Sequence, residues 1–143
     1  MRLTYIRVVV ALPWLAAGSA LAACPPLPAD GTVLRQGNLQ LAWRPVIDGS
    51  PQSAAAIPMA RPFGLDIQLC EGDAAAKARL AKVDATMPEH RHGMNYRPRI
   101  SAVGDGRYRV EGLMFHMSGR WQLEFELNDG NQSQRLFHDV KVR

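Results

Sequence analysis

Histidine and methionine are concentrated in two short segments of this chain, residues 87–94 (MPEHRHGM) and residues 115–117 (FHM). Three of the four histidines in the sequence lie in these segments. A donor set that mixes thioether sulfur with imidazole nitrogen suits copper, whereas calcium and magnesium prefer oxygen ligands. The two segments therefore predict a copper-binding surface.

Five residues are the expected ligands. We expect His90, His92 and Met94 to bind the ion first, and His116 and Met117 to complete its coordination sphere. The two imidazoles of the first segment are close enough in sequence to face one ion, whether the chain is extended there or bent by the flanking proline and glycine. The thioethers favour Cu(I), while a subset dominated by histidine could hold Cu(II).

The histidines also allow less specific interpretations. His90 and His92 can belong to a solvated cationic loop, because a motif this short has low specificity. His116 lies between apolar neighbours and can be a partly buried, hydrogen-bonded imidazole. His138 alternates with apolar residues near the end of the chain and is expected to be structural.

Other residues of the two segments have expected roles outside the ligand set. Met87, Met114 and Phe115 flank apolar strands and are expected to pack in or near the core. Glu89 could bind a hard ion or accept a hydrogen bond from a ligating imidazole.

Apolar residues recur at every second position in three segments, which predicts strands with one buried face. They are Leu39, Leu41 and Trp43; Phe63, Leu65, Ile67 and Leu69; and Trp121, Leu123, Phe125 and Leu127. Weaker patterns predict strands near residues 80–86, 97–103, 107–112 and 135–142. About seven short strands indicate an all-β fold, an immunoglobulin-like antiparallel β-sandwich. The alanine-rich residues 74–81 favour at most a helical turn, and residues 48–60 read as a long loop.

An antiparallel succession of strands would bring the two histidine segments together, because its connections alternate between the two ends of the sandwich. Residues 88–96 join the third strand to the fourth, and residues 113–118 join the fifth to the sixth. Both connections therefore lie at one end, where the loop over residues 48–60, which carries Met59, also opens. Cys70 ends the second strand at the opposite end.

The N-terminus has the features of a secretory signal peptide over residues 1–23. Arg2 and Arg7 precede an apolar run over residues 8–17, which Pro13 interrupts, and a stretch of small residues follows. The run is shorter than the roughly 20 residues that a transmembrane helix needs. We therefore expect a periplasmic protein with an extended N-terminal arm over residues 24–37 and one domain over residues 38–143.

The two cysteines, Cys24 and Cys70, leave two alternatives open. Residues 21–24 (LAAC) have the form of a bacterial lipobox, which would anchor the protein to a membrane through a lipid on Cys24 and leave Cys70 unpaired. Alternatively, cleavage follows the A-x-A site at residues 20–22, and the two cysteines form a disulfide. We favour the disulfide, because an odd thiol in an exported protein needs a special reason.

Charge and motif content argue against several other classes of protein. Without Arg2 and Arg7, 15 of the 17 basic residues remain against 13 acidic ones, so nucleic acid is not an expected partner. Arg107 and Arg109 alternate as residues do on the outer face of a sheet, which argues against a dedicated anion surface. No signature of a hydrolase, a redox dithiol or a nucleotide-binding enzyme is present, so we expect no enzymatic activity.

The same residues resemble the YtkA-like domain family, which is related to the FixH-like proteins. The resemblance rests on residues 87–94, 104–108 (GDGRY), 112–117 (GLMFHM) and 119–121 (GRW), and it covers about residues 60–143. It implies a β-sandwich and a link to copper or to the assembly of respiratory oxidases. The chain departs from the FixH-like arrangement, which keeps a membrane helix, by a signal that we expect to be cleaved.

These observations lead to two expectations for function. The first is a periplasmic, copper-binding accessory or carrier domain that works with a copper-handling or oxidase-assembly protein. The alternative is a structural or protein-interaction module that binds no metal, either free or anchored as a lipoprotein.

Overall fold

Segments with alternating apolar side chains form most strands of this protein. Its structure, a computed structural model, describes residues 24–26 and 30–143. The predicted signal peptide over residues 1–23 lies outside the described residues. Seven of the eleven strands found in the described part have six or more residues. The strands are β1 (Thr32–Gln36), β2 (Leu39–Ile47), β3 (Ser50–Pro51), β4 (Phe63–Glu71), β5 (Ala74–Ala75), β6 (Arg79–Met87), β7 (His92–Gly93), β8 (Arg99–Gly104), β9 (Arg107–Leu113), β10 (Gly119–Asn128) and β11 (Ser133–Val142).

The strands form two sheets in which neighbouring strands are antiparallel. The first sheet has the order β1-β2-β4-β9-β8, with β3 beside β2 and β5 beside β4, and the second has the order β11-β10-β6-β7. When the seven longer strands are lettered A to G in chain order, the sheets are ABED and GFC, the arrangement of a constant-type immunoglobulin domain. The predicted immunoglobulin-like β-sandwich is confirmed.

The hydrophobic core lies between the sheets, where the period of two places the apolar residues of most long strands. Trp121, Leu123, Phe125 and Leu127 of β10 are all at most 1% exposed. Across the core, the ring of Trp43 on β2 lies 6.1 Å from that of Phe125. Burial of one such side chain stabilises the fold by about 1.5–3 kcal/mol.

Two segments differ from their sequence-based expectations. The alanine-rich segment forms no helix, because Ala74 and Ala75 pair with the end of β4 and β6 begins at Arg79 to pair with β10. Pairing within the sheets here outweighs helix propensity. The long loop over residues 48–60 contains β3 and a 3-10 turn, η1 (Ala54–Ala56).

A disulfide joins Cys24 to Cys70, whose Cα atoms are 5.8 Å apart. The backbone N–H of Cys24 donates to the carbonyl of Asp73 over 2.8 Å, so the start of the described chain is held at the end where β4 finishes. The favoured pairing of the two cysteines is confirmed. Within the segment expected to be an extended arm, β1 pairs with β2. Among the described residues, no helix is long and apolar enough to cross a membrane.

Candidate metal site

Two imidazoles from distant parts of the chain meet at one rim of the sandwich. The Nε2 atoms of His92 and His116 are 2.6 Å apart, and the ring centroids are 4.7 Å apart at an interplanar angle of 72°. At this separation one ring donates an N–H and the other accepts it with a bare nitrogen. Both side chains are half-buried, so each keeps some access to solvent.

A tight turn after β6 positions His92. Met87 ends β6, and the 3-10 turn η2 (Pro88–His90) follows. Arg91 then adopts the left-handed conformation with φ of 49°, which reverses the chain into β7. There His92 pairs directly with the fully buried Met87, so its side chain lies on the inner face of the sheet, at the rim.

Trp121 positions the segment that carries His116. The ring of Phe115 stacks on Trp121 at 4.7 Å and 11°, and the His116 ring meets Trp121 edge-on at 5.5 Å. The indole N–H of Trp121 donates to the Met117 carbonyl over 3.0 Å. These contacts fix the residues on both sides of His116 to the start of β10, and they hold its ring against the core.

The second ring nitrogen of His116 has no hydrogen-bond partner in the described part of the chain. Its Nδ1 atom is buried and makes no hydrogen bond to any described residue. Ligating histidines usually donate this other N–H to a carboxylate or a carbonyl, which raises their basicity. Among the described residues, His116 therefore lacks the second hydrogen bond that usually orients a ligating histidine and raises its basicity.

Arg120 connects the η2 turn to the neighbouring strands. Its guanidinium donates to Glu89 over 3.1 Å and to Asp139 on β11 over 2.9 Å. The hydrogen bonds from Arg120 and Gln122 hold the pKa of Asp139 below its ordinary value. Glu89 is thus engaged by Arg120, and it makes no hydrogen bond to an imidazole among the described residues.

Among the described residues, the other three predicted ligands make no side-chain hydrogen bond to either imidazole. His90 is exposed on η2 and makes no hydrogen bond or ring contact within the described part of the chain. Met94 follows β7, donates its backbone N–H to Ala85 over 2.9 Å and packs against the core. Met117 directly follows His116 and is 38% exposed. Within residues 24–26 and 30–143, no three His, Cys, Asp or Glu side chains cluster closely enough to hold a metal ion.

Sequence reasoning did not assign a site role to Arg120, Trp121 or Met59. Met59 forms a parallel bridge with Phe115, and the backbone N–H of Ala60 donates to the Phe115 carbonyl over 2.7 Å. The sequence predicted that the loop over residues 48–60 opens at this rim, and only this prediction indicated that Met59 lies near the site. His138 lies apart from the site, half-buried and edge-on to Trp43 at 5.5 Å, where burial lowers its pKa.

Comparison with known proteins supports the fold. No family model and no curated protein matches this sequence. Among solved structures, a DUF4426 family protein from Pseudomonas aeruginosa PAO1 is similar, with a TM-score of 0.56 and 12% sequence identity over 79% of this chain and 94% of that chain. At this identity the likeness concerns the fold alone.

Proposed function

We propose that this chain is a periplasmic copper-binding accessory or carrier domain in which His92 and His116 form the centre of the site. The observation that carries the proposal is the direct contact of their Nε2 atoms at 2.6 Å, between residues 24 positions apart in sequence. Imidazole nitrogen suits copper, and thioethers in the same loops favour its Cu(I) state.

The contact between the imidazoles is close to the geometry that an ion requires. Two nitrogens bound to one tetrahedral ion at roughly 2.0–2.1 Å are about 3.3 Å apart, so the rings must separate by about 0.7 Å. Both histidines lie on short segments at the rim and are half-buried, so rotation of the two side chains can supply a shift of this size. The ion would take the place of the proton that now joins the two nitrogens, and in this neutral pair the Nδ1 atom of the donating ring would carry that proton instead.

The incomplete surroundings of the pair support a carrier rather than a permanent store. The buried Nδ1 of His116 has no acceptor among the described residues, so nothing raises the basicity of this ligand. Met117 is the exposed thioether next to it in sequence, whereas His90 is exposed on η2 and Met94 packs against the core. An exposed, weakly supported site can pass its ion to a partner protein without a large rearrangement.

The disulfide supports export to the periplasm. Disulfides persist in oxidising compartments and are rare in the cytosol. A Cys24 sulfur that is bonded to Cys70 cannot also carry a lipid, so the disulfide favours a free domain over a lipoprotein. The YtkA-like resemblance adds a copper-handling or oxidase-assembly protein as the proposed partner, and the proposal includes no enzymatic activity.

Titration of the mature protein with Cu(I) and Cu(II) tests the proposal. We expect His92→Ala and His116→Ala each to weaken the binding of at least one oxidation state about tenfold or more, a loss of roughly 1.4 kcal/mol or more. His138→Gln is the control, because this imidazole lies on the inner face of β11 against Trp43. Affinity that is unchanged in both alanine variants would refute the proposal.

The second candidate function is a protein-interaction module that binds no metal. It is favoured by the absence, among the described residues, of any cluster of three His, Cys, Asp or Glu side chains. The melting temperature separates the two candidates, because an ion bound only to the folded state raises it. A melting temperature that stays constant over a copper titration would favour the interaction module.

A further inference from the structure

The long loop after β2 ends beside the segment that carries His116. Met59 and Phe115 form a parallel bridge, and the Ala60 N–H donates to the Phe115 carbonyl over 2.7 Å. Because paired chains lie about 5 Å apart, a methionine side chain at position 59 is long enough to reach the residue that follows Phe115. That residue is His116.

The exposed methionines among the described residues lie at this rim. Met59 is 46% exposed and Met117 is 38% exposed, whereas Met87 is fully buried and Met94 packs against the core. The chain thus places two solvent-accessible thioethers on the segments next to His116, one before Ala60 and one directly after the histidine. A buried thioether fills space, but an exposed one remains available as a soft ligand.

Backbone strain marks the segments that carry Met59 and His92. Four residues other than glycine have positive φ, and two of them, Asp48 and Asp105, are of a type that tolerates this conformation. The other two are Ala60 at φ 54° and Arg91 at φ 49°. Ala60 directly follows Met59, and Arg91 directly precedes His92. Unfavourable conformations of this kind persist where the surrounding structure imposes them, and they cluster at binding sites.

We propose that Met59 is a thioether ligand of the site and that Met59 and Met117 together make the site selective for Cu(I). This inference rests on the proposed function, because it assigns additional ligands to the ion held by His92 and His116. Two imidazoles and two thioethers form a neutral, soft donor set, which favours the softer Cu(I) ion over Cu(II). Met94 is not part of this set, since its side chain belongs to the core.

Titrations of Met59→Leu and Met94→Leu against both copper ions test the inference, because leucine keeps the apolar volume and removes the sulfur. We expect Met59→Leu to weaken Cu(I) binding about tenfold and to leave Cu(II) binding within about twofold, while Met94→Leu changes neither. X-ray absorption of the Cu(I) complex provides a second readout, in which Met59→Leu reduces the sulfur scattering around copper. Met59→Ala is a second variant at this exposed position.

The outcomes separate this inference from the proposed function. If His92→Ala loses Cu(I) binding while Met59→Leu and Met59→Ala keep it, the assignment of Met59 is wrong and the histidine site stands. If His92→Ala and His116→Ala also keep full affinity for both ions, the copper function itself fails. Equal losses in Met59→Leu and Met94→Leu would overturn the assignment as well, because they would indicate a general effect of removing sulfur.

Discussion

At the scale of single residues, Gly119 determines how the His116 loop enters β10. Its φ is 130°, and a Cβ atom added there would lie 2.8 Å from the Cε of the buried Met87. Glycine adopts such a backbone without steric strain, and its missing side chain leaves room for Met87.

We therefore expect Gly119→Ala to lower the free energy of unfolding by about 1–3 kcal/mol, measured by urea denaturation. Gly130→Ala is the matched control, because Gly130 also has positive φ, 97°, but no atom lies within 4 Å of its added Cβ. The control should lose less stability. Equal losses in the two variants would show that contact with Met87 contributes nothing.

The sequence identified the imidazoles that meet, but it could not separate His92 from His90. Residue spacing alone allowed both to face one ion. The left-handed conformation of Arg91 turns the chain between them, so His92 joins β7 while His90 stays exposed on η2. Arginine is not a residue type that signals this conformation, so the turn could not be predicted from composition.

At the scale of elements, the η2 turn is attached to the second sheet through Arg120, which contacts Glu89 on the turn and Asp139 on β11. Arg120, which lies on β10, therefore links the η2 turn that precedes His92 to β11. An exposed ion pair contributes little to overall stability, so its effect should be local.

We expect Arg120→Ala to raise the pKa of Asp139 toward its ordinary value, because the largest cause of its lowering is the hydrogen bond from Arg120. Since a lowered carboxylate pKa stabilises the folded state above the unfolded-state pKa, this variant should lose some of that stabilisation at neutral pH. NMR titration of Asp139 measures the shift. Amide hydrogen exchange should also quicken in η2 and β7.

Arg135→Ala is the control for this variant, because Arg135 pairs with Glu124 and Glu126 on the same sheet, away from η2. It should leave the exchange rates of the turn unchanged. Exchange in η2 that is equally fast in both variants, or unchanged in Arg120→Ala, would contradict the role of Arg120 in holding the turn.

Period-two alternation predicted the strands that bury one face in the core, whereas β8, five of whose six residues are exposed, gave only a weak pattern. The two-residue strands β3, β5 and β7 were not predictable in this way, since each forms only two residue pairs with its neighbour. Their positions depend on where longer strands end. The location of His92 on β7 therefore required the folded structure, whereas the convergence of the two loops at one rim followed from strand order alone.

At the scale of the whole molecule, the Cys24–Cys70 disulfide closes a loop with a sequence separation of 46 residues. In the chain-entropy treatment, a cross-link of this span stabilises the fold by about 4 kcal/mol. The bond lies at the end of the sandwich opposite the histidines, because β4 runs from Phe63 at the rim to Cys70 and Glu71 at the far end.

We expect the double variant Cys24→Ala, Cys70→Ala to lose about 4 kcal/mol of unfolding free energy in urea while keeping its copper affinity. Reduced wild-type protein is the control and should show a similar loss. Adding reductant to the double variant should change nothing further. A copper affinity that falls with the disulfide would show that the two ends of the sandwich are coupled.

The position of this disulfide also determines the orientation of the molecule when it is attached to a surface through its N-terminal side. The ten residues of β10 span roughly 30 Å from the rim to the far end. A tag, dye or surface linker fused ahead of Cys24 would leave from the side remote from His92 and His116. Immobilised in that orientation, the domain would expose its imidazoles to a partner protein in solution.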